Sequence, residues 1–330
     1  MKLLVTGGAG YCGSVLTPQL LDQGHEVTVY DILFYGTHLP RHPRLSIVAG
    51  DVRDTAKFAE AVRGCDAVLH LACISNDASF ELDEALSTTV NLDAFEPLVL
   101  AAKAAGVRRF VYASSSSVYG VSESPNVTED HPLVPLTLYN KFKGMCEPLL
   151  LRHTSPDFVG VIFRPATVCG YSPRLRLDLS VNILTNHAVH NNRITVFGGS
   201  QMRPNLHIQD YADLCKLLLA APDEFVRDQI FNCGYQNLSI MAIAETVKRV
   251  VAAEFPGRPE IAITVTPTDD IRSYHINSDK IRRVLDFVPQ HSIEEAVRDL
   301  CTAFKRGLVP DPMTDDIYYN VRRMKAQHLL

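Results

Sequence analysis

The feature that most narrows what this chain can fold into lies at its beginning. "KLLVTGGAGYCGS" runs an apolar strand straight into a glycine turn and then into a segment with helical spacing. Gly8, Gly10 and Gly13 satisfy GxGxxG, while Thr6, Gly7, Gly10 and Gly13 satisfy TGxxGxxG. Glycine belongs where a chain turns sharply, where backbone must approach another group closely, and where a helix packs hard on a strand. The free amides of the helix start then face whatever lies above the turn. Such a strand–turn–helix unit needs parallel neighbours to bury it.

The first half of the chain supplies them. "EVTVYD", "LSIVAGD", "DAVLHLA", "RFVYASS" and "FVGVIFR" read as strands, alternating with helical segments that include one near Val90 to Ala105 and one holding Tyr139. Continuous apolar strands between helices predict an α/β fold, a doubly wound parallel sheet of the Rossmann kind. At 330 residues the chain is long for a single core, and its length fits one large or two modest domains. The rhythm breaks after Pro165. Residues 1–166 are therefore read as a dinucleotide-binding domain, with a returning strand near 206–232. Residues 167–205 and 233–330 form a smaller, discontinuous α/β substrate lobe, and the polar tail from Pro310 is expected to be loosely attached.

An acid supports the dinucleotide reading. Asp31 ends the second strand, 18 residues past Gly13. A carboxylate there accepts hydrogen bonds from a ribose 2′-hydroxyl and repels a 2′-phosphate, favouring NAD over NADP. Asp51, in "AGDVRD", either reaches the adenine or caps a helix; both readings stay open.

Bulk properties exclude several other classes. The net charge of −5 and pI near 6.2, with no basic run, give no sign of a nucleic-acid or membrane partner. The short apolar start lacks the core of a secretory signal, and no stretch approaches the roughly 18 apolar residues of a membrane span. The eight cysteines form no CxxC pair and no metal-ligand spacing, so no metal is expected, and reduced thiols in a cytoplasmic protein are.

"LYNKFKG" places Tyr139 four residues before Lys143, on one face of a helix. With these pieces assembled, the chain resembles the extended branch of the short-chain dehydrogenase/reductase superfamily, and within it the NAD-dependent nucleotide-sugar epimerases and dehydratases. The resemblance spans nearly the whole length. It rests on "TGGAGYCG", "DAVLHLA", "YASSSSVYG", the Tyr139–Lys143 pair, "FRPATVCG", "FGGSQMRPNLHIQD" and "DDIRSYHINSDKIRRVL".

The resemblance implies roles. Tyr139 is the acid/base, and Lys143 holds the nicotinamide ribose. An unperturbed phenol titrates near pH ~10; a neighbouring ammonium and a positive nicotinamide are expected to lower that value. Ser115 is the third catalytic residue, with Ser116 its rival and otherwise a sugar contact. The cofactor-binding set is Gly7, Gly10, Tyr11, Cys12, Gly13, Asp31, Asp51, Val52, Leu71 and Ala72, with Tyr139 and Lys143. Asn182, Arg203 and Arg272 are expected at the diphosphate of a nucleotide-diphosphate sugar. Arg164 stands where 4-epimerases often carry a sugar-touching asparagine, so it is expected to contact the sugar. Arg174 and Arg176 are further candidate anion contacts.

Several chemistries share this core. The expected reaction is epimerisation at C4 through a transient 4-keto sugar. A 4-ketoreductase or dehydrogenase with exchangeable NAD(P) is the first alternative. A 4,6-dehydratase usually adds an Asp-Glu pair where this chain has Ser116 and Ser117. A 3,5-epimerase needs a further acid/base pair, for which Cys73 and Cys169 are the candidates. A non-catalytic dinucleotide sensor is the remaining rival. The resemblance also implies a homodimer through the helices near Val90–Ala105 and Leu138–Leu151.

Overall fold

The structure, a computed structural model, describes residues 1–122, 124, 126–269 and 273–327. Among them the strands are β1 (Lys2–Thr6), β2 (Glu26–Asp31), β3 (Leu45–Ala49), β4 (Ala67–His70), β5 (Arg109–Ala113), β6 (Val159–Pro165), β7 (Thr167–Cys169), β8 (Arg193–Phe197), β9 (Met202–His207), β10 (Gln229–Cys233), β11 (Gln236–Ser239) and β12 (Ala262–Thr266). One sheet runs β10-β6-β5-β4-β1-β2-β3. Every neighbouring pair in it is parallel, which is the expected doubly wound Rossmann sheet.

The side-chain period of two explains how both faces are covered. Leu3 and Val5 of β1 point into a core shared with Leu16 and Leu20 of the helix Gly13–Asp22 and Leu214 and Leu218 of the helix Ile208–Ala220. Leu4 points the other way, into a core with Phe58, Phe95, Leu98 and Leu150 from three further helices. Strands β4, β5 and β6 are buried at every residue. From β1 the chain first builds outward through β2 and β3, then returns to build β4, β5 and β6 on the other side. The strand order therefore reverses between β1 and β4, and the C-terminal ends of those strands diverge into a crevice.

Strands β11-β9-β7 and β12-β8 form two small sheets. A third core joins the helices Ser180–Asn191, Ile240–Glu254 and Ile293–Lys305 to β8. The last of these helices opens with a capping box between Ser292 and Glu295.

Three expectations are corrected. The helix expected from Val90 to Ala105 is interrupted: Glu84–Thr88 passes into a π-helical turn, Thr89–Asp93, before Phe95–Ala104. The wide turn carries Asn91, whose side chain accepts from the Ile74 amide at 2.9 Å and donates to the Ile74 carbonyl at 2.8 Å, fixing the segment after β4. The tail from Pro310 is docked, not loose. Tyr318, Tyr319 and Met324 are buried, and the Leu177 amide donates to the Tyr318 carbonyl at 2.9 Å. A few apolar anchors in a polar stretch suffice once another segment receives them.

The third correction concerns Arg164, expected at the sugar. It lies inside the protein, 3% exposed. Its Nε and Nη2 donate to the two carboxylate oxygens of Glu147 at 2.9 and 2.6 Å, and Nη1 donates to the Tyr119 hydroxyl at 2.7 Å. Ser114 donates to the same carboxylate at 2.6 Å. A charge this deep needs a partner of opposite sign, and Glu147 provides it in a bidentate fork.

Two stability predictions follow from these buried groups. Glu147→Ala strands Arg164 without its counter-charge and is expected to cost about 3–5 kcal/mol in urea unfolding; Glu147→Leu combined with Arg164→Met recovers most of it. His70, at the end of β4, lies 2.9 Å from the Thr6 hydroxyl. Burial, with Lys143 adding to it, pushes its imidazole down to about 3, far below the usual value near ~6.5. The unfolded chain then binds a proton that the folded chain refuses, so stability falls as pH drops from ~6.5 towards 3. His70→Asn is expected to flatten that fall in pH-dependent unfolding.

Candidate active site

The site is built on absent side chains. Gly7 adopts φ +71°, and a Cβ there would sit 2.8 Å from the Ala72 amide nitrogen. At Gly13 a Cβ would sit 2.5 Å from the Gly7 carbonyl oxygen and from the Gly8 Cα. Backbone thus lies against backbone. The Thr6 hydroxyl ties the ends of β1 and β4 by accepting from the amides of Leu71 and Ala72 at 3.2 and 3.3 Å. No side chain caps the start of the helix Gly13–Asp22, which leaves the first turn open to an anion.

Above this floor lies a continuous cavity of about 710 Å³. Its wall includes Gly7, Gly10, Tyr11, Cys12, Gly13, Asp31, Asp51, Val52, Leu71 and Ala72. Asp31 accepts from the Ala9 amide at 3.0 Å and the Leu33 amide at 2.8 Å, one on each oxygen. Each oxygen keeps a second acceptor site, and burial raises the carboxyl pKa above its ordinary value against the pull of those amides. Asp51 grips Arg53 through two oxygens, at 2.6 Å for the closest contact. The cap of the next helix is Asp54, which accepts from the Lys57 amide. These residues fit a dinucleotide: a close-packed glycine turn, open helix amides and an acid at the second strand's end.

Ser115, Tyr139 and Lys143 line the same cavity. Ser115 is extended and opens a 3₁₀ turn, Ser116–Tyr119. Its hydroxyl lies 2.7 Å from that of Ser117, while Ser116 is buried with its hydroxyl 3.4 Å from that of Tyr274. Thr137 caps the helix Leu138–Leu151 by accepting from the Asn140 amide. One turn after Tyr139, Lys143 donates from Nζ to the Ala113 carbonyl at 2.7 Å and sits 5.1 Å over the Tyr112 ring. It is 6% exposed, so its ammonium is held against β5.

The expected lowering of the Tyr139 pKa is not what the protein's own groups produce. Burial pushes the phenol well above its ordinary range; Cys73 and Asp77 add to this, and Arg176 opposes it. The reason is that desolvation outweighs charge. A phenolate there requires further positive charge in the cavity.

Arg203, Gln201, Thr268 and Phe197 also line the cavity; Phe197 is 57% exposed. Arg272 lies outside the described residues. Arg164, in its pairing with Glu147, does not line the cavity. Asn182 does not line it either: its amide is fully buried, accepting from the Gly170 amide at 3.0 Å and donating to the Arg176 carbonyl at 2.8 Å and the Tyr11 hydroxyl at 3.2 Å. This side chain positions the segment after β7. Cys73 lines the cavity. Cys169 turns away, with Sγ 3.6 Å from the Leu206 carbonyl, and burial pushes its thiol up to about 12.

Sequence reasoning missed Tyr35, Asn320 and Met324, all on the cavity wall. Nothing local marks them, since two of the three come from the polar tail. Among the described residues no group of three or more His, Cys, Asp or Glu side chains is placed to hold a metal ion. None of their helices is long and apolar enough to cross a membrane. All eight cysteines are free thiols.

Comparison with known proteins agrees with this geometry. The pattern of the NAD dependent epimerase/dehydratase family matches residues 3–234. The UDP-glucose 4-epimerase of Lactobacillus helveticus is 29% identical over 329 residues, covering 92% of this chain and 96% of that protein. Among solved structures, MoeE5 in complex with UDP-glucuronic acid and NAD is 26% identical with a TM-score of 0.80, over 93% of this chain and 100% of that one. The dTDP-glucose 4,6-dehydratase DesIV of Streptomyces venezuelae, with NAD and TYD bound, is 25% identical with a TM-score of 0.83, over 94% of this chain and 99% of that one.

Proposed function

This chain belongs to the NAD dependent epimerase/dehydratase family, and on that premise we propose that it epimerises a nucleotide-diphosphate sugar at C4, with NAD as cofactor and Tyr139 as acid/base. The observation that carries this reading is the continuity of the cavity. Its wall includes the glycine turn and Asp31, Ser115, Tyr139 and Lys143, and Arg203 and Phe197.

Each part has a role under this proposal. NAD, when bound, supplies a reversible acceptor for the C4 hydrogen. Tyr139 takes the proton from the C4 hydroxyl and returns it; its raised pKa keeps it a phenol until positive charge arrives beside it. Lys143, fixed to the Ala113 carbonyl, keeps two further N–H groups for the nicotinamide ribose and the phenolic oxygen. Ser115 steadies the reacting oxygen. Arg203 faces the sugar nucleotide's diphosphate, and Phe197 offers its ring to the base. Positions 116 and 117 are serines, so the acid that dehydration needs there is missing.

The substrate lobe is taken to begin at about residue 167, and β10 returns to the main sheet beside β6. Leu100 and Met145, on the helices proposed for a homodimer contact, are 46% and 41% exposed. A cytoplasmic location accords with the free thiols.

The test uses the sugars carried by the relatives. The protein, with no cofactor added, is expected to convert UDP-glucose or UDP-glucuronic acid to its C4 epimer, followed by NMR. Tyr139→Phe is expected to lower kcat roughly 10²–10⁴-fold while leaving sugar-nucleotide binding within a few-fold. Net accumulation of NADH, or an unimpaired Tyr139→Phe, contradicts the proposal.

A further inference from the structure

Arg174 and Arg176 stand out as the buried cations that the proposed reaction leaves without a task. They lie between β7 and the helix Ser180–Asn191, 3% and 8% exposed, and both line the cavity. Arg176 donates from Nε to Asp178 at 2.9 Å and from Nη1 to the Ser75 hydroxyl at 3.0 Å. Arg174 has no carboxylate within ion-pair distance among the described residues; it donates from Nη2 to Asn320 Oδ1 at 2.7 Å and stacks 3.6 Å from the centre of the Tyr35 ring. Arg174 Nε and Nη1 and Arg176 Nη2 are buried without a hydrogen-bond partner. Two neighbouring guanidiniums with three unfilled donor atoms are unfavourable in a protein interior unless an anion completes them.

Their placement selects the anion. The segment that carries them is tied to the glycine turn: Ser172 donates from its hydroxyl to the Tyr11 carbonyl at 2.7 Å, and the Tyr11 hydroxyl donates to the Gly170 carbonyl at 2.7 Å. They therefore stand beside the glycine turn, in the cavity that Asp31 and Tyr139 also line. A dinucleotide lying along that turn puts its diphosphate beside them. Guanidinium forks match phosphate oxygens, which fill the empty donors.

We propose that Arg174 and Arg176 form a clamp on the diphosphate of the bound dinucleotide, closing over it beside the glycine turn. The C-terminal segment bolts the clamp. Asn320 accepts from Arg174, donates from its amide to Asp178 at 3.0 Å, and donates from Nδ2 to Ser75 at 3.1 Å. Release of the dinucleotide then requires the arginine segment to lift and the tail to undock, so the cofactor stays through many turnovers. The proposal rests on reading the cavity as a dinucleotide site and does not depend on which sugar is converted.

The test needs no sugar and no turnover. Calorimetry on nucleotide-stripped protein compares ADP-ribose, which carries the diphosphate, with adenosine, which does not. Arg174→Gln and Arg176→Gln are each expected to weaken ADP-ribose by roughly 10- to 100-fold, the effect of removing a charge-assisted contact, with adenosine within about twofold. The NAD recovered per chain as purified falls in the same variants. Should either glutamine variant not fold, Arg174→Lys and Arg176→Lys keep a buried cation but lose the fork; weaker ADP-ribose binding at constant adenosine affinity again supports the clamp. Unchanged ADP-ribose affinity in the folded variants overturns it and leaves these arginines to the sugar. Equal losses for both probes also overturn it, since the damage is then general. A wild-type protein that binds no ADP-ribose contradicts the dinucleotide reading itself. One that binds it but converts no sugar contradicts only the proposed reaction.

Discussion

Backbone packed directly on backbone at the first turn is the contact on which the rest of this structure depends. Gly13 touches the Gly7 carbonyl and the Gly8 Cα at distances that leave no room for a Cβ, and Gly7 lies equally close to the Ala72 amide. This brings the first helix down onto β1 and draws the end of β4 beside it. The sheet can then reverse its winding between those strands and open a crevice at their C-terminal ends. Everything else in the site hangs on that crevice: Asp31 from the neighbouring strand, Ser115 beyond β5, and Tyr139 and Lys143 from the helix that packs beneath.

Buried charge provides the second theme, and three arginines show its two outcomes. Arg164 has a carboxylate in bidentate contact and a phenol beside it, so its charge is answered within the fold, away from the cavity wall. Arg176 has one hydrogen-bonded carboxylate, Arg174 has none among the described residues, and three of their buried donor atoms have no hydrogen-bond partner. The residue type is the same in each case. What differs is whether the interior supplies the anion or leaves it to a ligand.

This contrast explains what could be read from the sequence. β1, β4, β5 and β6 were legible because a strand buried on both faces is a nearly continuous apolar run, and β2 because Val27 and Val29 alternate with less buried residues. The glycine turn, Asp31 and the Tyr139–Lys143 pair were legible because each depends on spacing within one segment. The partner of Arg164 was not, since Glu147 lies on a separate helix and only the fold brings them together. Asn182 looked like a ligand contact because an asparagine's amide serves a phosphate or a buried loop equally well. The docked tail is hidden for a related reason: Tyr318, Tyr319 and Met324 are too few to register as a periodic face, yet Tyr318 and Tyr319 pack with Leu175 and Leu177, and Met324 is buried at the cavity wall. The π-helical turn carries no propensity signal, because its cause is the bond between Asn91 and Ile74.

The central claim is that one cavity holds a sugar nucleotide and a retained NAD on either side of Tyr139. Its most direct measurement uses UDP-glucose deuterated at C4, incubated with the protein and no added cofactor. The account predicts a C4-inverted product that keeps its deuterium at C4, with no reduced cofactor in solution. Inversion with loss of the label to solvent, or NADH released in proportion to oxidised sugar, would contradict it.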